Sequence, residues 1–212
     1  MFSNGKKDFP EWKLTGCMPG PGNNKYQMTR TIFTLLVLCT VLSACSIPRI
    51  VFLTDPLTAQ ERNDLGVSYE LMGEAELALK EYELAAGEDR NWDQPLINHG
   101  NVHAGLENWK QAEQSYRGAL KRNPANPEAM NNLAYVLMKQ DKNREALTWT
   151  MKAVEIQPEN PFFSATHGWA LLKTDNPEEA EKAFLSALEK TPAQSPLHQH
   201  IREGLDQIGT HD

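Results

Sequence analysis

The residues best suited to chemistry are the histidines. His99 and His103 stand four apart, so on a helix they share one face, and that spacing can hold a metal ion. The run His99-Gly100-Asn101-Val102-His103 lacks the Glu that serves as general base between the two histidines of a zinc protease. A hydrogen-bonded core role is the competing reading of His99. His198, His200 and His211 read as surface residues. No Gly-rich phosphate loop and no Gly-x-Ser-x-Gly elbow occurs in the chain, so neither nucleotide binding nor a serine hydrolase is indicated. Acidic pairs such as Glu178-Glu179 read as solvated helix faces. No catalytic residue, metal ligand or cofactor is assigned. A net charge of −7 over 212 residues leaves no basic excess to displace counterions from phosphates, which argues against a nucleic-acid partner.

One cysteine is placed for a different reaction. Ile32–Ala44 is a run of 13 uncharged, mostly apolar residues after Arg30. A spanning helix needs about 20, whereas the shorter run suits the apolar core of a secretory signal. It ends in Leu42-Ser43-Ala44-Cys45, which resembles the lipobox of bacterial lipoproteins. The alternative is an uncleaved signal anchor with an incidental cysteine. The lipobox implies a signal peptide over 28–44, cleavage before Cys45, and lipidation of that residue, the only covalent group expected. Two or more acyl chains anchor stably where one does not. Ser46 rather than Asp after the cysteine implies, in Gram-negative lipoproteins, the outer membrane facing the periplasm. Residues 1–27 are polar and read as an upstream extension, with Met28 as the expected start. The chain from Cys45 onward holds 16 basic and 26 acidic residues, a net of −10. Such a surface is repelled by anionic lipid, so the acyl chains must do the anchoring. Residues 45–58 form the expected tether.

The elements that position everything else are set by a 34-residue period. Ala78, Ala112, Ala146 and Ala180 form one series, Ala85, Ala119, Ala153 and Ala187 a second, and Gly66, Gly100, Ala134 and Gly168 a third. Pro124, Pro158 and Pro192 recur with the same step, as do Tyr82, Tyr116 and Phe184, with Thr150 interrupting that aromatic column. Small residues let paired helices approach closely, and the prolines end helices. Thr58-Ala59-Gln60-Glu61 is a capping-box pattern. Asn126-Pro127 and Asn160-Pro161 each place an N-cap before a proline at the first helical position. Gly73 suits a turn between helices.

This pattern resembles the tetratricopeptide repeat over residues 59–194. The resemblance implies an all-α fold, a right-handed superhelix of four helical hairpins (59–92, 93–126, 127–160 and 161–194). A C-terminal capping helix in 195–212 would follow, its Leu197, Ile201, Leu205 and Ile208 covering the last hairpin. His99 and His167 share the seventh position of their units, one normally buried between helices.

In the family, the concave face is lined by the first helix of each unit, near positions 2, 5, 9, 12 and 13. Here the early units are amide-rich and the later ones aromatic. The implied protein-binding residues are Asn63, Asn101, Asn131, Tyr135, Met138, Phe162 and Trp169. The amides would bond a peptide backbone, and the aromatics would form a hot spot. For Tyr135 and Trp169, packing against neighbouring helices is an open alternative. Some members clamp a partner's terminal carboxylate with cations at positions 2, 5, 6 and 13. Positions 5 and 6 here carry none, so that clamp is expected to be missing. The implied partners are other envelope proteins or peptides, with the membrane reached through acyl chains; self-association is left open. Lipoproteins of this shape resemble pilotins, which assist secretin or pilus assembly. The alternative is a regulatory or substrate-binding partner of an envelope enzyme such as a peptidase, and a His-based metal-binding protein is the third reading.

Overall fold

The computed structural model describes residues 32–33 and 57–209. Ile32 and Phe33 are helical. Cys45, the expected lipidation site, lies outside the described residues, as do the rest of the expected signal segment, the expected upstream extension and the expected tether up to Pro56.

Residues 57–209 are all α. Helices α1 (Ala59–Leu71), α2 (Ala75–Glu88), α3 (Gln94–Gly105), α4 (Trp109–Arg122), α5 (Pro127–Met138), α6 (Asn143–Ile156), α7 (Pro161–Leu172) and α8 (Pro177–Glu189) pair into four hairpins, and α9 (Pro196–Gly209) caps the last. The starts follow local chemistry. Thr58 and Glu61 form a reciprocal capping box at α1, and the side chains of Asn126 and Asn160 accept from the backbone N–H of Ala129 and Phe162. Each satisfies an N–H that the first helical turn leaves unpaired.

The turns inside the hairpins repeat one conformation. Gly73 has φ of +80°, and the residues 34, 68 and 102 places later, Glu107, Asp141 and Asp175, have φ of 58°, 60° and 64°. The chain reverses through a left-handed residue in every unit, and only the first unit places a glycine there.

Packing explains the alanine, glycine and aromatic columns together. Ala78, Ala112, Ala146 and Ala180 are fully buried, as are Ala85, Ala119, Ala153 and Ala187. The aromatic rings of Tyr82, Tyr116 and Phe184 lie directly on Gly66, Gly100 and Gly168. A Cβ at those glycines would stand 2.6, 2.5 and 2.6 Å from ring carbons. The third unit has Thr150 instead of a ring, and there the small residue is Ala134, fully buried. In α9, Gly204 approaches Phe184 the same way, a Cβ there standing 2.5 Å from the ring. Leu197, Ile201, Leu205 and Ile208 then pack on the fourth hairpin's apolar cluster.

Neighbouring hairpins are joined by polar contacts as well. The Arg122 guanidinium donates to the carbonyls of Ala86, Asp89 and Trp92 at 2.8, 3.0 and 2.7 Å, closing the end of α2. Lys190, 68 residues on, does the same to the Pro158 carbonyl at 3.1 Å. Among the described helices, the backbones of the first helices of successive hairpins come close to one another, whereas the second helices reach each other only through long side chains such as Arg122 to Ala86 and Arg117 to Glu145. The row therefore bends toward the first-helix side, which becomes concave.

Candidate functional site

That concave side carries a groove of about 540 Å³ at its C-terminal end. Three first-row helices build it. From α5 and its C-cap come Asn131, Tyr135, Met138 and Lys139; from α7 and its C-cap, Phe162, Ala165, Thr166, Trp169 and Lys173; from α9, Pro196, Leu197 and His200. The capping helix thus serves as the first helix of a fifth unit and forms one wall.

Phe162 is 59% exposed and Tyr135 43% exposed, large values for apolar rings in a folded chain. Tyr135 meets Trp109 edge to face, centroids 6.3 Å apart. Trp169 does both things that its sequence position allows. It packs edge to face on Phe184 at 5.5 Å and stacks on His200 at 4.9 Å, while still lining the groove. Its indole Nε1 is buried with no hydrogen-bond partner, and so is the amide Oδ1 of Asn131. Both atoms lie beneath the groove's surface, on residues that line it, and have no partner among the described residues. Met138 is 6% exposed and contributes to the floor.

Two of the expected peptide-binding amides are spent elsewhere. Asn63 is only 5% exposed, and its Oδ1 accepts from Asn98 Nδ2 at 2.9 Å, whose Oδ1 accepts in turn from Gln94. Asn101 Oδ1 accepts from the Tyr116 hydroxyl at 2.8 Å and from Asn132 Nδ2 at 3.1 Å. These amides tie one hairpin to the next, because the oxygens of Asn63 and Asn101 each take a donor from an amide 35 or 31 residues on. Asn131 alone of the three lines the groove. The groove does carry cations. Positions 5 and 6 hold none, but position 13 places Lys139 and Lys173 in the groove, and Lys139 Nζ lies 5.4 Å from the Tyr135 ring centroid. His200 is a surface residue, as read, and also forms part of the groove wall. Its signal was the place of α9 in the first-helix row.

The histidines resolve as packing groups. Ser115 Oγ donates to the Gln111 carbonyl, so toward His99 it accepts, and His99 Nδ1–H is the donor at 2.8 Å. Thr150 Oγ1 donates to Leu147 and accepts from His167 Nδ1–H at 2.9 Å. Both tautomers follow from the one hydroxyl proton available. His99 meets His103 edge to face, ring centroids 4.7 Å apart. Burial and the neighbouring His103 hold His99 below the usual histidine range, against an opposing pull from Glu83; burial alone lowers His103 and His167. Among the described residues no three His, Cys, Asp or Glu side chains are grouped to hold a metal ion.

Comparison with known proteins agrees with the architecture. Residues 97–161 match the tetratricopeptide repeat model. A Protein STIP1 homolog from Dictyostelium discoideum is 29% identical over 108 residues, half of this chain and 19% of that protein. The chain therefore spans about a fifth of that relative's length. Among solved structures, MamA superposes with a TM-score of 0.58 at 20% identity, covering 82% of this chain and 96% of that one. YrrB, described as a TPR protein with an unusual peptide-binding site, gives a TM-score of 0.58 at 22% identity over 71% of this chain and 84% of its own. At these identities the likeness shows the fold. With its 34-residue period, its matched segment over 97–161 and its row of hairpins, the chain has the fold of a tetratricopeptide-repeat array.

Proposed function

We propose that this protein is a non-catalytic scaffold of the bacterial envelope, anchored by lipid on Cys45, that holds a segment of another protein in the groove between α5, α7 and α9. The observation that carries the binding half is the exposure of Phe162 and Tyr135 beside the unpartnered polar atoms of Trp169 and Asn131. Exposed aromatic rings on a concave surface are the usual anchors of an interface. The unusual peptide-binding site of YrrB supports the same use of the fold. The envelope half rests on the apolar run ending in Leu42-Ser43-Ala44-Cys45. Assembly support of the pilotin kind fits a short array on a tether, since anchoring concentrates the groove at the membrane.

Two variants test the halves separately. Metabolic labelling with a clickable palmitate analogue is expected to tag the wild type and not Cys45→Ala. Purification from detergent-solubilised envelope is expected to bring down one stoichiometric partner with the wild type and lose it with Tyr135→Ala, Phe162→Ala. An unlabelled wild type refutes the anchor. A partner retained by the folded double variant refutes the groove.

A further inference from the structure

The charge of the groove narrows what it takes. The whole chain carries −7, yet among the described residues no Asp or Glu lines this groove, and the formally charged ones that do are Lys139 and Lys173. Neither lysine has an ion-pair partner among the described residues, whereas Lys142 and Lys190 elsewhere are held by Glu113 and Glu159. Lys139 is not loose in solvent. Its ammonium sits 5.4 Å from the Tyr135 centroid and 5.9 Å from that of Trp109, cation–π contacts that hold it over the apolar floor. The lysines occupy the same place on adjacent first helices, which at ordinary helix spacing sets them roughly 10 Å apart. An extended chain covers that distance in about three residues.

Resting on the groove reading above, we infer that the bound segment is acidic as well as apolar. An aliphatic or aromatic side chain enters between Tyr135, Phe162 and Trp169. Carboxylates placed about three residues apart meet Lys139 and Lys173. A cationic or uncharged segment leaves both ammonium groups unpaired beside an apolar contact, which disfavours it. An anionic lipid surface is the other chemistry two lysines could meet. The groove is concave and otherwise apolar, and the chain is acidic overall, so the segment is favoured.

Selection of a random twelve-residue phage-displayed library on the full chain tests this. The inference expects enriched sequences to carry Asp or Glu flanking an apolar residue. Synthetic versions should bind at least about tenfold more weakly when their acids are replaced by Ser, with the preference shrinking at high salt. Lys139→Glu, Lys173→Glu should reverse the selected charge. Apolar sequences without acidic bias, or the same acidic bias in the double variant, overturn the inference while leaving the groove in place. Identical selections by wild type and Phe162→Ala, or no enrichment at all, overturn the groove itself. Binding to phosphatidylserine vesicles through the same lysines, with no peptide selected, assigns the site to lipid and also overturns the inference.

Discussion

Gly100 has no room for a methyl group, and its neighbour cannot move aside. The Tyr116 ring that a Cβ would strike at 2.5 Å is held by its hydroxyl on Asn101. Gly100→Ala is expected to cost about 1–3 kcal/mol, outweighing the helix propensity that alanine gains, and to lower Tm by several degrees. A thermal melt showing Gly100→Ala at or above wild type would mean the ring shifts freely. The histidines give a second prediction at this scale. Folded His99, His103 and His167 are held below their ordinary value, so below about pH 6.5 the unfolded chain binds protons that the folded chain refuses. Their stabilising contribution is complete above that pH and declines as pH falls through it. Tm should drop between about pH 7.5 and about pH 5.5, and His167→Gln should flatten that slope while keeping a donor toward Thr150. An unchanged slope would mean His167 is not part of it. The sequence exposed the columns at these positions but hid their coupling. Thr150 reads as a break in the aromatic series until its hydroxyl is seen to take His167, and Ala134 is then the residue that a missing ring permits.

Helix boundaries were legible where local chemistry fixes them. Thr58, Asn126 and Asn160 cap as their side chains dictate, and Pro127 and Pro161 open helices in which their missing N–H costs nothing. The turns were legible only once. Gly73 announces a left-handed residue, but Glu107, Asp141 and Asp175 adopt the same conformation with nothing in their residue type to say so at Glu107. Glutamate lacks the short side chain that lets Asp tolerate that region, so Glu107→Gly is expected to raise stability by up to about 1 kcal/mol, read as a higher urea midpoint with unchanged m-value. The same change at Asp141 should gain less. A loss on Glu107→Gly would show that unfolded-chain entropy outweighs the relief of strain. Asn63 and Asn101 show the opposite limit. Amides at the right repeat positions look free in sequence, but which of them the next hairpin claims depends on three-dimensional register.

At the scale of the whole array, the 34-residue period carries the architecture, and the closer backbone approach along the first-helix row makes that side concave. What the period does not carry is where along the row a groove opens. It opens where the capping helix supplies Pro196, Leu197 and His200 opposite Tyr135 and Phe162, beyond the last unit that the repeat describes. The account's central claim is that a partner segment lies there. A photo-crosslinking residue placed at Phe162, at Tyr135 and, as control, at the exposed Met151 outside the groove tests it in living cells. The account predicts one and the same envelope protein captured from positions 162 and 135, through a peptide of acidic and apolar composition, and not from 151. Capture from 151 with none from 162 and 135, by a chain that is folded and membrane-bound, would contradict it.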